Sequence, residues 1–251
     1  MNNFIYAFII SSIAGISTLI GFIFIYFKPK NVNRFISISL SFSATLMILI
    51  SIFDLIPESF FNILFKYYLI GFVLSFLSFL IGIILIKCSS KILNNMKEKG
   101  SSLYKLGIIS AIVLMMHYIP EGIITFLTTN NDLSLGIKVA VAITLHNIPE
   151  GICIAVPIYY STKSKWKAFK TTLISGLSEP IGAILAYLFL YRFISHEILN
   201  LIFIFVAGIM ITLAIDEIFK ESINYSNNRN SYIVIGILVG ILFFVLSMVF
   251  V

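Results

Sequence analysis

The chain has 251 residues, of which 59% are hydrophobic and only 11% charged, and its mean hydropathy is +1.05. An ordinary soluble domain is about 25% charged, so a water-soluble fold of this length is excluded and the solvent is a bilayer. The net charge of +6 does not argue for nucleic acid, because the basic residues fall in short clusters between apolar runs, where they write membrane topology.

A helix needs about 20 apolar residues to cross the hydrocarbon. Eight stretches qualify, at 4–27, 35–57, 67–87, 104–127, 136–160, 168–191, 198–221 and 231–251. The first follows no basic leader and is too long for a signal peptide, so it is expected to stay as a membrane helix. The connectors leave no room for a soluble domain, so residues 1–251 are expected to form one integral-membrane domain. Counting alternate loops on alternate sides leaves Lys66, Lys138 and Arg192 on one face and the other fourteen of the 17 basic residues on the opposite one. The basic face is expected to be cytoplasmic, with both termini outside the cell membrane. Cys88 and Cys153 fall in separate segments and are expected to be small packing residues, with no disulfide framework.

Most of the eleven acids lie in connectors or at helix ends, but Glu121, Glu150 and Glu179 are in mid-span, as are His117 and His146. A charge at a helix centre costs roughly 3 kcal/mol even on a lenient scale. One such His could be a neutral group gluing helices together; five convergent groups of one chemical type point to a site. The stretches "HYIPEG" (117–122) and "HNIPEG" (146–151) each place His and Glu four apart, on one helical face. Pro120 and Pro149 remove a backbone donor beside each Glu, and four of the six prolines adjoin a Glu, Pro57 and Pro180 included. Broken helices near the midplane are a common way to build transporter sites.

Depth follows from symmetry. His117 and His146 are equidistant from the turn at Asn131 and Asp132, so antiparallel helices put them at one level. Side chains lean toward the N-terminus of their helix, which tilts Glu121 and Glu150 toward that level from opposite sides. Glu150 and Glu179 are equidistant from the "KSK" connector at 163–165 and share a depth. A set of imidazoles and carboxylates without thiolate suits zinc, iron(II), manganese and their neighbours. A cation offsets the desolvation of the carboxylates, and its binding is expected to exchange with protons.

These residues resemble the ZIP metal transporters. The two motifs, with "GLSEPIGA" after them, are similar to the fourth, fifth and sixth helices of that family, and most similar to its bacterial zinc-uptake branch. "DLIPESF" and "AGIMITLAIDE" match more weakly. The resemblance implies an all-α polytopic fold in which inverted three-helix repeats flank helices 4 and 5. It implies a midplane site with His117, Glu121, His146 and Glu150 as primary ligands, and a second position made by Asn147, Glu179 and the shared Glu121 and Glu150. It further implies a homodimer that carries divalent metal into the cytoplasm. Tyr118 stands where the family motif usually has Asn, which removes a donor from the second position, so one tightly bound ion is expected. The connector at 88–103 lacks a His-rich stretch, so regulation through it is not expected.

Asp54 and Glu58 are candidate entrance acids and Asp216 and Glu217 candidate exit acids, each weighed against an ordinary solvated helix end. The metal is expected as cargo, zinc first, with iron(II), manganese and cadmium open, and no organic cofactor is expected. An intramembrane zinc hydrolase, with Glu121 or Glu150 as base, is the alternative enzyme reading, but there is no HExxH. A metal-sensing membrane protein is the other. Flux across a sealed bilayer separates all three.

Overall fold

The computed structural model describes residues 2–95, 101–190 and 195–248, and among these every regular element is helical. Eight helices are long and apolar enough to span a membrane: α1 Phe4–Tyr26, α2 Val32–Leu55, α3 Ser59–Lys91, α4 Ser102–Asn131, α5 Leu133–Thr162, α6 Lys165–Phe189, α7 His196–Ser226 and α8 Asn230–Ser247. They coincide with the eight expected crossings. The end of the eighth expected stretch (249–251) and part of the 88–103 connector (96–100) lie outside the described residues.

Helix starts are written locally. Asn31, Ser101, Asp132, Ser164 and Ser195 each accept a hydrogen bond from an amide three residues on, satisfying a donor that the first turn leaves open. The stops are local too: α5 ends where Lys163 adopts φ 56°. Within α3 the backbone leaves the helical region at Tyr68 (φ 49°), and Gly71 lies against the Ile63 carbonyl. The segment before Tyr68 thus folds back on the segment after it.

Several spans are interrupted, two of them just before Pro57 and Pro180, as expected from those prolines, and two where no proline is near. The backbone of α1 breaks at Ser17 and that of α6 at Leu177, while π turns occupy Ser51–Leu55 in α2 and Ala214–Phe219 in α7. Pro120 and Pro149 behave differently from expectation: α4 and α5 run helically through both. Each proline costs one backbone bond, yet both helices continue; Ser43 Oγ on α2 donates to the Pro149 carbonyl at 2.8 Å and ties α5 to α2 there. Pro180 sits in the first turn of the Ser178–Leu185 segment, where its missing donor costs nothing.

The packing has internal symmetry. Exchanging α1 with α6, α2 with α7, α3 with α8 and α4 with α5 maps the α1–α5 contact onto α6–α4, α3–α7 onto α8–α2, and α2–α5 onto α7–α4. The two breaks and the π turns of α2 and α7 correspond under the same exchange, whereas α6 ends in a π turn at Ala186–Leu190 and α1 in a 3-10 turn at Ile23–Tyr26. Gly15 and Gly176 meet backbone to backbone, each facing the other's carbonyl, where α1 crosses α6. Gly151 lies against the Thr18 carbonyl as Gly122 lies against that of Glu179. Any side chain larger than hydrogen would push these helices apart.

Burial follows from this order. About 72% of the apolar window of α2 is buried, but only 22% in α3 and α8, which give most of their surface to lipid. The main core joins α2, α4, α5 and α7 around Leu40, Met47, Leu114, Tyr118, Ile152 and Met210. Cys153 packs there as expected, whereas Cys88 is exposed.

Candidate metal centre

Consecutive antiparallel helices joined at Asp132 bring the two motifs face to face. His117 and Glu121 lie one turn apart on α4, with Nε2 3.1 Å from Oε1. Glu150, from α5, comes within 3.4 Å of the same nitrogen. The side chains of His117, Glu121 and Glu150 are 1%, 5% and 1% exposed. Both nitrogens of His117, both oxygens of Glu150 and Oε2 of Glu121 make no hydrogen bond. Leaving buried polar atoms unpartnered costs roughly 1–3 kcal/mol each. An imidazole and two carboxylates brought together from two helices form a nitrogen and oxygen set of the kind that suits divalent metals.

A second group adjoins the first. Asn147 Nδ2 donates to Glu179 Oε2 at 2.9 Å and to the Ala14 carbonyl at 2.8 Å. This leaves Asn147 Oδ1 and Glu179 Oε1 unpartnered. Glu179 is delivered by the break in α6 at Leu177, and Gly122 fixes its distance from α4. Tyr118, the neighbour of His117, is wholly buried in the apolar core with its hydroxyl unpartnered.

His146 departs from the expected convergence. Its Nε2 lies 3.9 Å from Asp54 Oδ2, and the two side chains are 15% and 42% exposed. Asp54 is carried by the π turn of α2, which shifts the helical register just there. Among the described residues no three His, Cys, Asp or Glu close on one point. His117, Glu121 and Glu150 form one group, Asn147 and Glu179 a second, and His146 with Asp54 a third on the more open side. The side chain of Glu58 lies outside the described residues.

Toward the C-terminal end of α7, Asp216 pairs with Lys220 at 3.4 Å, and Glu217 lines a cavity with Lys87, Lys91 and Lys220. One acid was missed by the sequence reading. Glu221 falls at the expected end of the seventh crossing, but α7 continues to Ser226 and Glu221 is only 6% exposed. Its carboxylate accepts from Ser102 Oγ at 2.6 Å and Asn224 Nδ2 at 2.9 Å, tying α7 to the start of α4. Nothing in its local sequence signals this, because the partner Ser102 is 119 residues away.

With this geometry in hand, comparison with known proteins is informative. The profile of the family described as "ZIP Zinc transporter" matches residues 94–248. The chain belongs to the ZIP family. Its relatives include the zinc transporter ZupT of Streptococcus mutans, 37% identical with 96% of each chain covered. That of Oceanobacillus iheyensis is 37% identical over 92% of this chain and 93% of its own. That of Clostridium perfringens is 31% identical over 99% and 96%. Matches of such coverage make this ZIP chain a multi-pass divalent-metal transporter.

Proposed function

We propose that the protein carries zinc into the cytoplasm through a site built from His117, Glu121 and Glu150, completed by His146. The observation that carries this reading is the buried His117 imidazole, whose Nε2 lies 3.1 Å from Glu121 Oε1 on its own helix and 3.4 Å from Glu150 Oε1 on the next. A divalent cation supplies the missing electrophile, and imidazole with carboxylate is a donor set it accepts. His146 and Asp54, the more exposed pair, form the approach: Asp54 attracts the ion and His146 swings with it to join the trio. Glu58 follows Asp54 by four residues in the chain, and Asp216 and Glu217 lie at the opposite end.

The charge asymmetry supports both termini outside, which makes the Asp54 end the external one. Asn147 and Glu179 offer a second position, but Tyr118 brings bulk and no carbonyl donor to it, so one ion binds tightly. Iron(II), manganese and cadmium offer the same ligand preferences and compete as substrates. Because ligands must shed protons to coordinate, apparent affinity rises with pH. Two copies associate in the membrane as a homodimer.

Uptake of zinc, with iron(II), manganese and cadmium in parallel, into liposomes holding the purified protein tests the reading. Saturable uptake that the double variant His146→Ala, Glu150→Ala abolishes supports it. Tight binding without flux would instead favour a sensor or an intramembrane hydrolase.

A further inference from the structure

A second cluster of charge lies far along the chain from the buried site. A cavity of about 550 Å³ opens between the C-terminal ends of α3 and α7, lined by Lys87, Ser90, Lys91, Asp216, Glu217 and Lys220. Lys87 and Lys91 are one turn apart on α3 and both are exposed, whereas Ser90 between them is 7% exposed and its hydroxyl has no partner. The helix that carries them gives most of its surface to lipid. The cavity is therefore bordered by lipid-facing helix, protein and the bilayer interface at once.

The cavity's lining carries a net positive charge. Asp216 is neutralised by Lys220 at 3.4 Å. Glu217 makes no ion pair among the described residues, and faces the remaining Lys87 and Lys91. The balance leaves one positive charge, two ammonium groups free to donate, one buried hydroxyl and one carboxylate able only to accept. We infer that this cavity holds the headgroup of an anionic phospholipid, a phosphoglycerol. The single negative phosphodiester lies between Lys87 and Lys91 with Ser90 donating to it, and the glycerol hydroxyls donate to Glu217. A phosphoethanolamine would satisfy Glu217 but leave the positive charge uncompensated, and a phosphocholine has no donor for Glu217. Basic pockets between spanning helices at the cytoplasmic interface are suited to such headgroups. Assignment to the inner leaflet rests on the topology proposed above; binding itself does not.

The test is competitive lipid retention by the purified full-length protein, measured by native mass spectrometry from micelles doped with equal phosphatidylglycerol, phosphatidylethanolamine and phosphatidylcholine. Phosphatidylglycerol is retained preferentially, and Lys87→Gln with Lys91→Gln lowers that preference roughly tenfold or more. Lys87→Arg with Lys91→Arg keeps it, which shows that the glutamine variant did not lose binding by misfolding. Lys167→Gln with Lys170→Gln, an equal loss of exposed charge elsewhere, leaves it intact. No preference in the parent protein, an unchanged preference in the Lys87/Lys91 glutamine variant, or an equal loss in the Lys167/Lys170 control overturns the assignment. Free glycerol phosphate forms the last arm: if it binds as tightly as the lipid, the cavity belongs to a soluble phosphate ester. None of these readouts uses zinc flux, so failure here and failure of the transport reading are distinguishable.

Discussion

The two motifs differ by one letter, HYIPEG against HNIPEG, and occupy corresponding places on α4 and α5, yet their surroundings differ. The α4 copy is enclosed: His117 is 1% exposed between two carboxylates, and Tyr118 is sunk in the core. The α5 copy is engaged outward: His146 is 15% exposed beside Asp54, and Asn147 donates to Glu179 and to the Ala14 carbonyl. Internal symmetry supplies two equivalent half-sites. The neighbouring side chains then enclose one and leave the other more open. The motif sets which side chains are present, while the partner helices set how enclosed each becomes.

The comparison breaks most severely at the enclosed half. Glu150→Ala is expected to remove transport by more than the roughly 10–100-fold typical of an outer-shell partner, whereas Asp54→Asn leaves the maximal rate and raises the half-saturating zinc concentration. Initial uptake rates over a range of zinc concentrations separate the two. Gly122→Ala comes next, because its methyl group would strike the Glu179 carbonyl, which is backbone and cannot rotate away. A loss of about 1–3 kcal/mol is expected from such overpacking, read as a lower unfolding temperature in detergent. Tyr118→Asn sharpens the comparison by making the halves alike. Zinc titration by calorimetry is then expected to move from one tight ion toward two. The smallest effect is at the missed acid: Glu221→Gln keeps the contact with Ser102 and costs little in thermal stability, while Glu221→Ala costs about 1 kcal/mol more.

Much of this was legible beforehand, for physical reasons that can be named. Apolar length alone gave the eight crossings, because the hydrocarbon has a fixed thickness. The four-residue spacing of His and Glu, with the antiparallel pairing of α4 and α5, gave the meeting of His117, Glu121 and Glu150. What escaped depended on contacts between distant segments. The break at Ser17 has no proline near it and arises where two helices cross, whereas that at Leu177 precedes Pro180 and was legible. Pro120 and Pro149 suggested interruptions that α4 and α5 do not show. Symmetry about the 130–132 turn placed His146 level with His117, but it carries no information about a π turn in α2 that presents Asp54 to it.

The crossing of α1 and α6 has a consequence for how this molecule can vary. Gly15 and Gly176 face each other's carbonyls as counterparts in the two halves. A residue at such a point meets its own image, so a gain in bulk on one helix finds no slack on the other. Each glycine therefore sets the room available to its twin: added bulk at either position displaces the backbone of the other half of the chain.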